Sequence, residues 1–138
     1  MAGENVLPNE HYPDYFQTVS FPFMHALESA GFAIPLMYVE ARATNGTGIV
    51  VDSIVIGISV VEGAAETVEV LHATTVQATT GTSIQTSPVS TNALGTTVTT
   101  INTSNNFVPA GSWLILKFDA AVAAAHGCVT IRFRSRLK

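Results

Sequence analysis

β-branched residues dominate this chain and restrict most strongly how it can fold. Thr, Val and Ile supply 17, 16 and 9 of the 138 residues, whereas Leu supplies only 8. β-branched side chains lose rotamer freedom in a helix and pack well on a pleated surface. We therefore expect an all-β protein. A chain of this length can bury a true core as one domain without disulfides or a structural metal.

Period-two alternation of apolar and polar residues begins at Leu36 and recurs to the C-terminal end. Seven or eight short strands separated by turn signals predict an antiparallel sandwich or barrel, which we place at residues 36–138. The Ala-rich stretch from Asp119 to Gly127 is typical of either a loop or a single helical turn. The residues predicted to point inward include Ile54, Ile56, Ile58, Val60, His72, Val129, Ile131 and Phe133.

Residues 1–35 differ in composition from the rest of the chain. They hold four of the six prolines and the acids Glu4, Glu10, Asp14 and Glu28, with no Lys or Arg. Prolines disfavour regular structure, while aromatic rings favour packing on a surface. We expect an extended N-terminal arm that lies on its own domain or on a neighbour, with one possible short helix over 20–31. The aromatic residues predicted to make contacts are Tyr12, Tyr15, Phe16, Phe21 and Phe23.

A long stretch in the middle of the chain carries no charge. Between Glu69 and Lys117, 47 residues include no Asp, Glu, Lys or Arg. Solvated surfaces of monomers normally carry charges, and interface cores are depleted of them. The stretch therefore predicts a surface that packs against another protein. A flexible polar loop is the alternative.

Basic residues gather at the C-terminal end. Arg132, Arg134, Arg136 and Lys138 are four of the six basic residues and follow one another at period two. Such a strip fits a solvated edge strand whose charges prevent edge-to-edge pairing. It fits equally a docking strip for the acidic arm or an acidic partner, with Arg132, Arg134 and Arg136 in contact. A net charge of −4 argues against nucleic-acid binding.

Sequence motifs typical of catalysis, metal binding or phosphate binding are missing from the sequence. Cys128 is the single cysteine and is predicted on an outer face beside Thr130, and the four histidines are scattered. No nucleophile, metal or phosphate motif is present, so we expect no enzyme, no catalytic or metal site and no cofactor. A small-molecule ligand is not expected either. The sequence also predicts no secretory signal and no membrane association, because no apolar stretch reaches about 20 residues.

Three segments carry a resemblance to a known class of proteins. They are Phe107-Val108-Pro109-Ala110-Gly111-Ser112-Trp113-Leu114-Ile115-Leu116, the alternating run from Cys128 to Arg134, and the strand from Asp52 to Ile58. Over roughly residues 36–134 the chain resembles small β-sandwich structural proteins of tailed phages, and among them most closely the head decoration (cement) proteins. The N-terminal arm matches no motif of these proteins.

The resemblance implies a fold, an assembly and a location. It implies a jelly-roll-like antiparallel β-sandwich that forms a homotrimer. It further implies binding to the major capsid protein on the outer surface of the virion, where the protein clamps neighbouring capsid subunits after synthesis in the host cytoplasm.

Two other classes stay open. The chain could be a phage tail or fibre component, or a receptor-binding sandwich that recognises carbohydrate, although Trp113 begins a strand that reads as buried. A small β-sandwich enzyme or metal-dependent cupin would need a cluster of histidines, which the sequence lacks.

Overall fold

A computed structural model describes residues 16–25, 33–40, 47–61, 66–76, 78–119 and 125–136. These residues form ten strands and no helix, which confirms the all-β prediction. The strands are β1 (Gln17–His25), β2 (Ala33–Tyr38), β3 (Gly48–Val60), β4 (Thr67–Ala73), β5 (Thr82–Ser83), β6 (Val89–Ser90), β7 (Gly95–Val98), β8 (Phe107–Pro109), β9 (Trp113–Phe118) and β10 (Ala125–Arg136).

The strands form two antiparallel sheets that pack against each other. Sheet 1 has the order β1-β10-β3-β7, with β8 also paired to β3. Sheet 2 has the order β2-β9-β4-β5, with β6 also paired to β4. The pairing is nested: β1 pairs with β10, β2 with β9, β3 with β7 and β8, and β4 with β5 and β6. A long hairpin rolled into two sheets in this way is a jelly roll, so the predicted jelly-roll-like sandwich is confirmed.

The core lies between the sheets and follows the predicted alternation. On β3, Ile54 and Ile56 are fully buried, and on β10 the same holds for Val129 and Ile131. Val60 is an exception, because it is 41% exposed although the alternation predicted it inward. The β3–β10 register shifts between His126 and Gly127, opposite this end of β3. A bulge of one residue reverses which face the following side chain occupies.

The N-terminal segment contributes two strands to the sandwich. Within residues 1–35 the structure describes 16–25 and 33–35, and these contain β1 and the first half of β2. The predicted domain boundary after Pro35 thus falls inside a strand. Both strands are edge strands, which is where proline is tolerated, and Pro35 lies at a register shift against β9. Tyr12, Tyr15 and the acids of the first 14 residues lie outside the described residues.

The predicted short helix over 20–31 is wrong for residues 20–25. They pair with β10 in an unbroken antiparallel register from Ser20 opposite Thr130 to His25 opposite Ala125. Alternation in this stretch points Phe21 and Phe23 toward the core, and that long-range burial outweighs the local cap pattern. Residues 26–31 are outside the described part of the chain.

Candidate interaction site

The basic strip predicted on β10 is partly occupied by the chain's own residues. The guanidinium carbon of Arg132 lies 4.2 Å from the centre of the Phe16 ring, a cation–π contact at an exposed position. Arg134 Nε lies 3.7 Å from Asp52 Oδ2 on the neighbouring β3. The side chain of Arg136 is outside the described residues. Docking of the acidic N-terminal residues onto this strip stays a prediction.

The two phenylalanines of β1 proposed as contact residues belong to the core. Phe23 is only 4% exposed, and its ring meets that of Phe118 edge-on at 5.6 Å between ring centres. Phe21 is partly buried and packs against the same cluster. The reason is that β1 pairs with β10 along its whole length, so every second residue faces sheet 2. Phe23 therefore belongs to the core, whereas Phe21 keeps part of its ring at the surface and its contact with a partner stays a prediction.

The outer face of sheet 1 carries small, uncharged side chains over most of its width. Ser20 Oγ and Thr130 Oγ1 share a hydrogen bond of 2.8 Å across β1 and β10. On β7, Thr96 Oγ1 lies 3.8 Å from the position that a Cβ on Gly57 would take, which places Thr96 on this face. By register, eight residues share the surface, called the bare face below: Ser20, Pro22, Val55, Gly57, Thr96, Val98, Cys128 and Thr130.

Cys128 lies on the bare face as the alternation predicted. Its thiol is free and half-buried, and its strand neighbours are Pro22 on one side and Gly57 on the other. None of these side chains is charged, although antiparallel sheets that meet water usually alternate polar outward residues with core residues. An outer face of this kind fits contact with protein better than contact with solvent.

The uncharged segment continues the bare face into an open groove. The groove holds about 460 Å³ and is lined wholly by residues between Thr86 and Thr100. From Thr86 to Thr100 every residue is exposed except Val89, Thr91 and Thr99. The uncharged stretch therefore lies at the surface over this range.

Backbone and buried side chains hold this surface in place. Gln85 is buried, accepts a hydrogen bond from the Val70 N–H at 2.6 Å and donates to the Ser87 carbonyl at 3.2 Å. Thr91 is fully buried, and its N–H donates to the Glu66 carbonyl at 3.0 Å. Its own hydrogen bonds hold this segment in place, which argues against the flexible-loop alternative, while packing against another protein stays a prediction.

The outer face of sheet 2 is different, because the chain itself covers it. Ala33, Leu71 and Ile115 form a second apolar cluster there, and Ala78 from the β4–β5 connection packs against it. Beside the cluster Lys117 Nζ lies 3.7 Å from Glu69 Oε1, and the Ser83 hydroxyl donates to Glu69 Oε2 at 2.7 Å. Tyr38 and Trp113 form a tilted ring pair at the end of this face, with 5.0 Å between ring centres.

Two titratable groups in the described residues have pKa values that the fold shifts. Burial lowers the pKa of His72, which shares the inner side of β4 with Val68 and Val70. Burial raises the pKa of Asp119, but hydrogen bonds from Thr67 and the nearby charge of Lys117 outweigh it, so the pKa is lower than usual. The Thr67 N–H donates to Asp119 Oδ1 at 2.8 Å. The Thr67–Asp119 hydrogen bond joins the end of β9 to the beginning of β4.

Metal ligands do not gather in the described part of the molecule. No group of three or more His, Cys, Asp or Glu residues that could hold an ion occurs among those residues. His126 and Cys128 are neighbours on β10 and give at most two ligands, fewer than zinc needs. The described residues also include no helix long and apolar enough to cross a membrane.

Comparison with known proteins found no family, no curated protein and no solved structure that matches this chain. The fold and the surface are therefore the observations from which a function can be inferred.

Sequence reasoning missed the bare face and placed the contacts elsewhere. Its residues come from four strands that are far apart in the chain, so no local pattern joins them. One signal was available: the outward positions of the predicted strand around Ile54–Ile58 included Val55 and Gly57, which carry no charge. The corresponding outward positions of other solvated strands usually carry polar or charged residues.

Proposed function

We propose that this chain is a capsid decoration protein that binds the outside of a phage head as a homotrimer and clamps neighbouring capsid subunits. The observation that carries the proposal is the charge-free exposed surface formed by the bare face and the groove. A jelly roll is a common fold of viral structural proteins, which supports the same assignment. The proposed role is structural, and no cofactor belongs to it.

The bare face is proposed as the contact between copies of this chain. The protein carries a net charge of −4, so copies that meet through charged surfaces would repel one another. A contact through Ser20, Val55 and Thr130 avoids that repulsion. Symmetric oligomers also multiply weak contacts with a repeating lattice such as a capsid, because binding of one subunit raises the effective concentration of the next.

The first 14 residues are proposed as the contact with the major capsid protein. They carry three acids and no basic residue, together with Tyr12. An acidic aromatic segment suits a basic groove between capsid subunits. Because β1 begins at Gln17, this segment can be removed without removing a strand of sheet 1.

Co-sedimentation with expanded heads from a phage that encodes this chain tests the proposal. We expect the intact protein to pellet with the heads in a fixed ratio to capsid subunits and to saturate. A variant without residues 1–14 should fold and bind far more weakly. Intact protein that stays in the supernatant at every concentration would contradict the proposal. Removal of 1–31 is not a useful variant, because it also deletes β1 and the core residue Phe23.

A receptor-binding or tail-fibre module is the second candidate function. The observation in its favour is the ring pair of Tyr38 and Trp113, because both rings lie on the outer side of sheet 2 and Tyr38 is exposed. Exposed aromatic rings bind the apolar faces of sugars. Saturable binding on a glycan array that is lost in Tyr38→Ala would favour this function over decoration.

A further inference from the structure

We infer that β7 is a docking edge for the β7 of a second copy of this chain, joined by antiparallel strand pairing about a two-fold axis at Thr97. The starting observation is the direction of the backbone groups. β7 pairs with β3 from Val98 opposite Val55 to Gly95 opposite Ile58, and the Thr99 N–H donates to the Ile54 carbonyl at 2.9 Å. Backbone groups of a strand alternate between its two sides, so those of Thr96 and Val98 point away from β3.

The free part of this edge is short and well bounded. Gly95 has a φ of +131°, a conformation that ends the regular strand on one side. On the other side the Thr100 carbonyl already accepts a hydrogen bond from the Thr86 N–H at 3.0 Å. In the part of the chain that the structure describes, β7 pairs with no strand other than β3. The free donors and acceptors are therefore those of Thr96 and Val98.

These groups select one register for a second copy. Centring a two-fold axis on Thr97 places Thr96 opposite Val98 of the second copy, and Val98 opposite its Thr96. Each of the two pairs exchanges two hydrogen bonds, so all the free backbone groups are used. Centring the axis on Thr96 or Val98 would use fewer of them, because Gly95 and Thr100 limit the strand.

The chemistry of the edge favours another copy of this chain over a charged partner. Proteins usually protect an edge strand with charge or proline or by keeping it very short: the outermost strands β1 and β2 carry Pro22 and Pro35, and the outermost strand β5 has only two residues. All four residues of β7 are uncharged and exposed, with Val98 at 71%. Leu94, 68% exposed, lies directly before it. An uncharged edge meets its own copy without the repulsion that a net charge of −4 imposes elsewhere.

This contact uses the backbone edge of β7 and does not depend on head binding, whereas the proposed trimer uses the side chains of the bare face, Thr96 and Val98 among them. Being two-fold, it would join one trimer to the next instead of forming the trimer. Its small size makes it weak in solution, and it gains strength where copies are held close together on a surface.

Disulfide trapping tests the register directly, in a Cys128→Ser background that removes the native thiol. Thr97→Cys should place two cysteines opposite each other as a non-hydrogen-bonded pair, with Cα atoms about 4.5 Å apart, within the range of a disulfide. Thr96→Cys is the register control, because its own copy would lie diagonally at about 7–8 Å, too far for a disulfide. Thr103→Cys is the collision control, since Thr103 is exposed in a turn outside the groove.

The measurement is the rate of dimer formation with oxidised glutathione over a series of protein concentrations, read on non-reducing gels. We expect Thr97→Cys to dimerise at least about tenfold faster than Thr103→Cys, the factor expected for about 1.4 kcal/mol of attraction. Adding Thr96→Pro should remove most of that advantage, because proline deletes the outward N–H of Thr96 and adds no charge to the bare face. Equal rates for Thr97→Cys and Thr103→Cys would overturn the inference, as would faster dimerisation of Thr96→Cys than of Thr97→Cys.

Discussion

The outer faces of the two sheets obey the same alternation but end in different environments. On sheet 2, outward residues such as Leu71 and Ile115 are buried, because the β4–β5 connection packs over them. On sheet 1, Ser20 and Val98 are exposed, their neighbours on the bare face are exposed or half-buried, and none of them is charged. The chain thus supplies its own cover for one sheet. The bare face is the surface that we propose to be covered by other copies.

The two outer faces should differ most in how much a substitution on each of them lowers the free energy of unfolding. Ile115 on the outer side of sheet 2 is fully buried, so Ile115→Ala should lower the free energy of unfolding by about 2–5 kcal/mol. Val98 on the bare face is mostly exposed, and Val98→Ala should change the free energy of unfolding by less than about 0.5 kcal/mol. Urea unfolding at low protein concentration, where assembly is minimal, measures both. Similar losses in the two variants would show that the faces are equally covered within one chain.

Two glycines, one beside the outer face of sheet 2 and one on the bare face, provide a second test of the same comparison. A Cβ on Gly81 would lie 2.5 Å from the His72 carbonyl oxygen and 2.8 Å from Leu71 Cδ1, so Gly81→Ala should cost about 1–3 kcal/mol. A Cβ on Gly57 would meet nothing closer than 3.8 Å. Gly57→Ala should therefore stabilise the isolated chain by up to about 1 kcal/mol, through the lower backbone entropy of the unfolded state.

Thermal unfolding of the two alanine variants beside the wild-type protein checks this prediction. The melting temperature should fall for Gly81→Ala and stay constant or rise for Gly57→Ala. A fall of the same size in both variants would mean that the bare face is already packed in the isolated chain.

A smaller effect depends on pH and comes from the inner side of sheet 2. Burial holds the pKa of His72 below its ordinary 6.5 in the folded chain. The unfolded chain therefore binds this proton more readily, so the contribution of neutral His72 to stability is present above pH 6.5 and is lost as the pH falls below it. The free energy of unfolding of the wild-type protein should decline from pH 7.5 to 5.5, and that of the His72→Gln variant should decline less. An unchanged decline in His72→Gln would assign the effect to other groups.

The smallest effect concerns the end of the bare face, where Phe16 lies under Arg132. Exposed cation–π contacts contribute about 0.5–1 kcal/mol, so Phe16→Ala should lower the stability by about that amount. Phe16→Tyr keeps an aromatic ring and should keep most of the stability. Adding Arg132→Gln to each variant completes a double-mutant cycle, and a coupling energy near zero would show that the contact contributes nothing.

The local sequence pattern was enough to predict which residues of β3 and β9 are buried, because that prediction does not depend on which strands pair with them. Alternation predicted the inward set Ile54, Ile56 and Ile58, and the apolar run of β9 predicted burial on both faces. Those assignments need only the period of the side chains. Where β1 lies could not be predicted in this way, because the prolines of residues 1–35 suggested an arm and its residues pair with β10 residues 100 or more positions away.

The candidate site was predictable in composition but not in position. The uncharged stretch showed from the sequence that some surface would lack charge, and residues 86–100 do form such a surface. The bare face needs four strands in register, and the cover over Ile115 depends on where the β4–β5 connection packs. Both are properties of long-range packing, which single-sequence patterns do not contain.

Sedimentation equilibrium of the purified chain at micromolar concentration tests most directly that the bare face is covered by other copies. If other copies cover the bare face, the particle should have about three times the 14.5 kDa mass of one chain. Ser20→Lys, which puts a charge on the bare face, should shift the particle toward the monomer, whereas Thr103→Lys at an exposed turn should not. A mass of 14.5 kDa for the wild-type chain across the concentration range would show that the bare face is not covered by other copies.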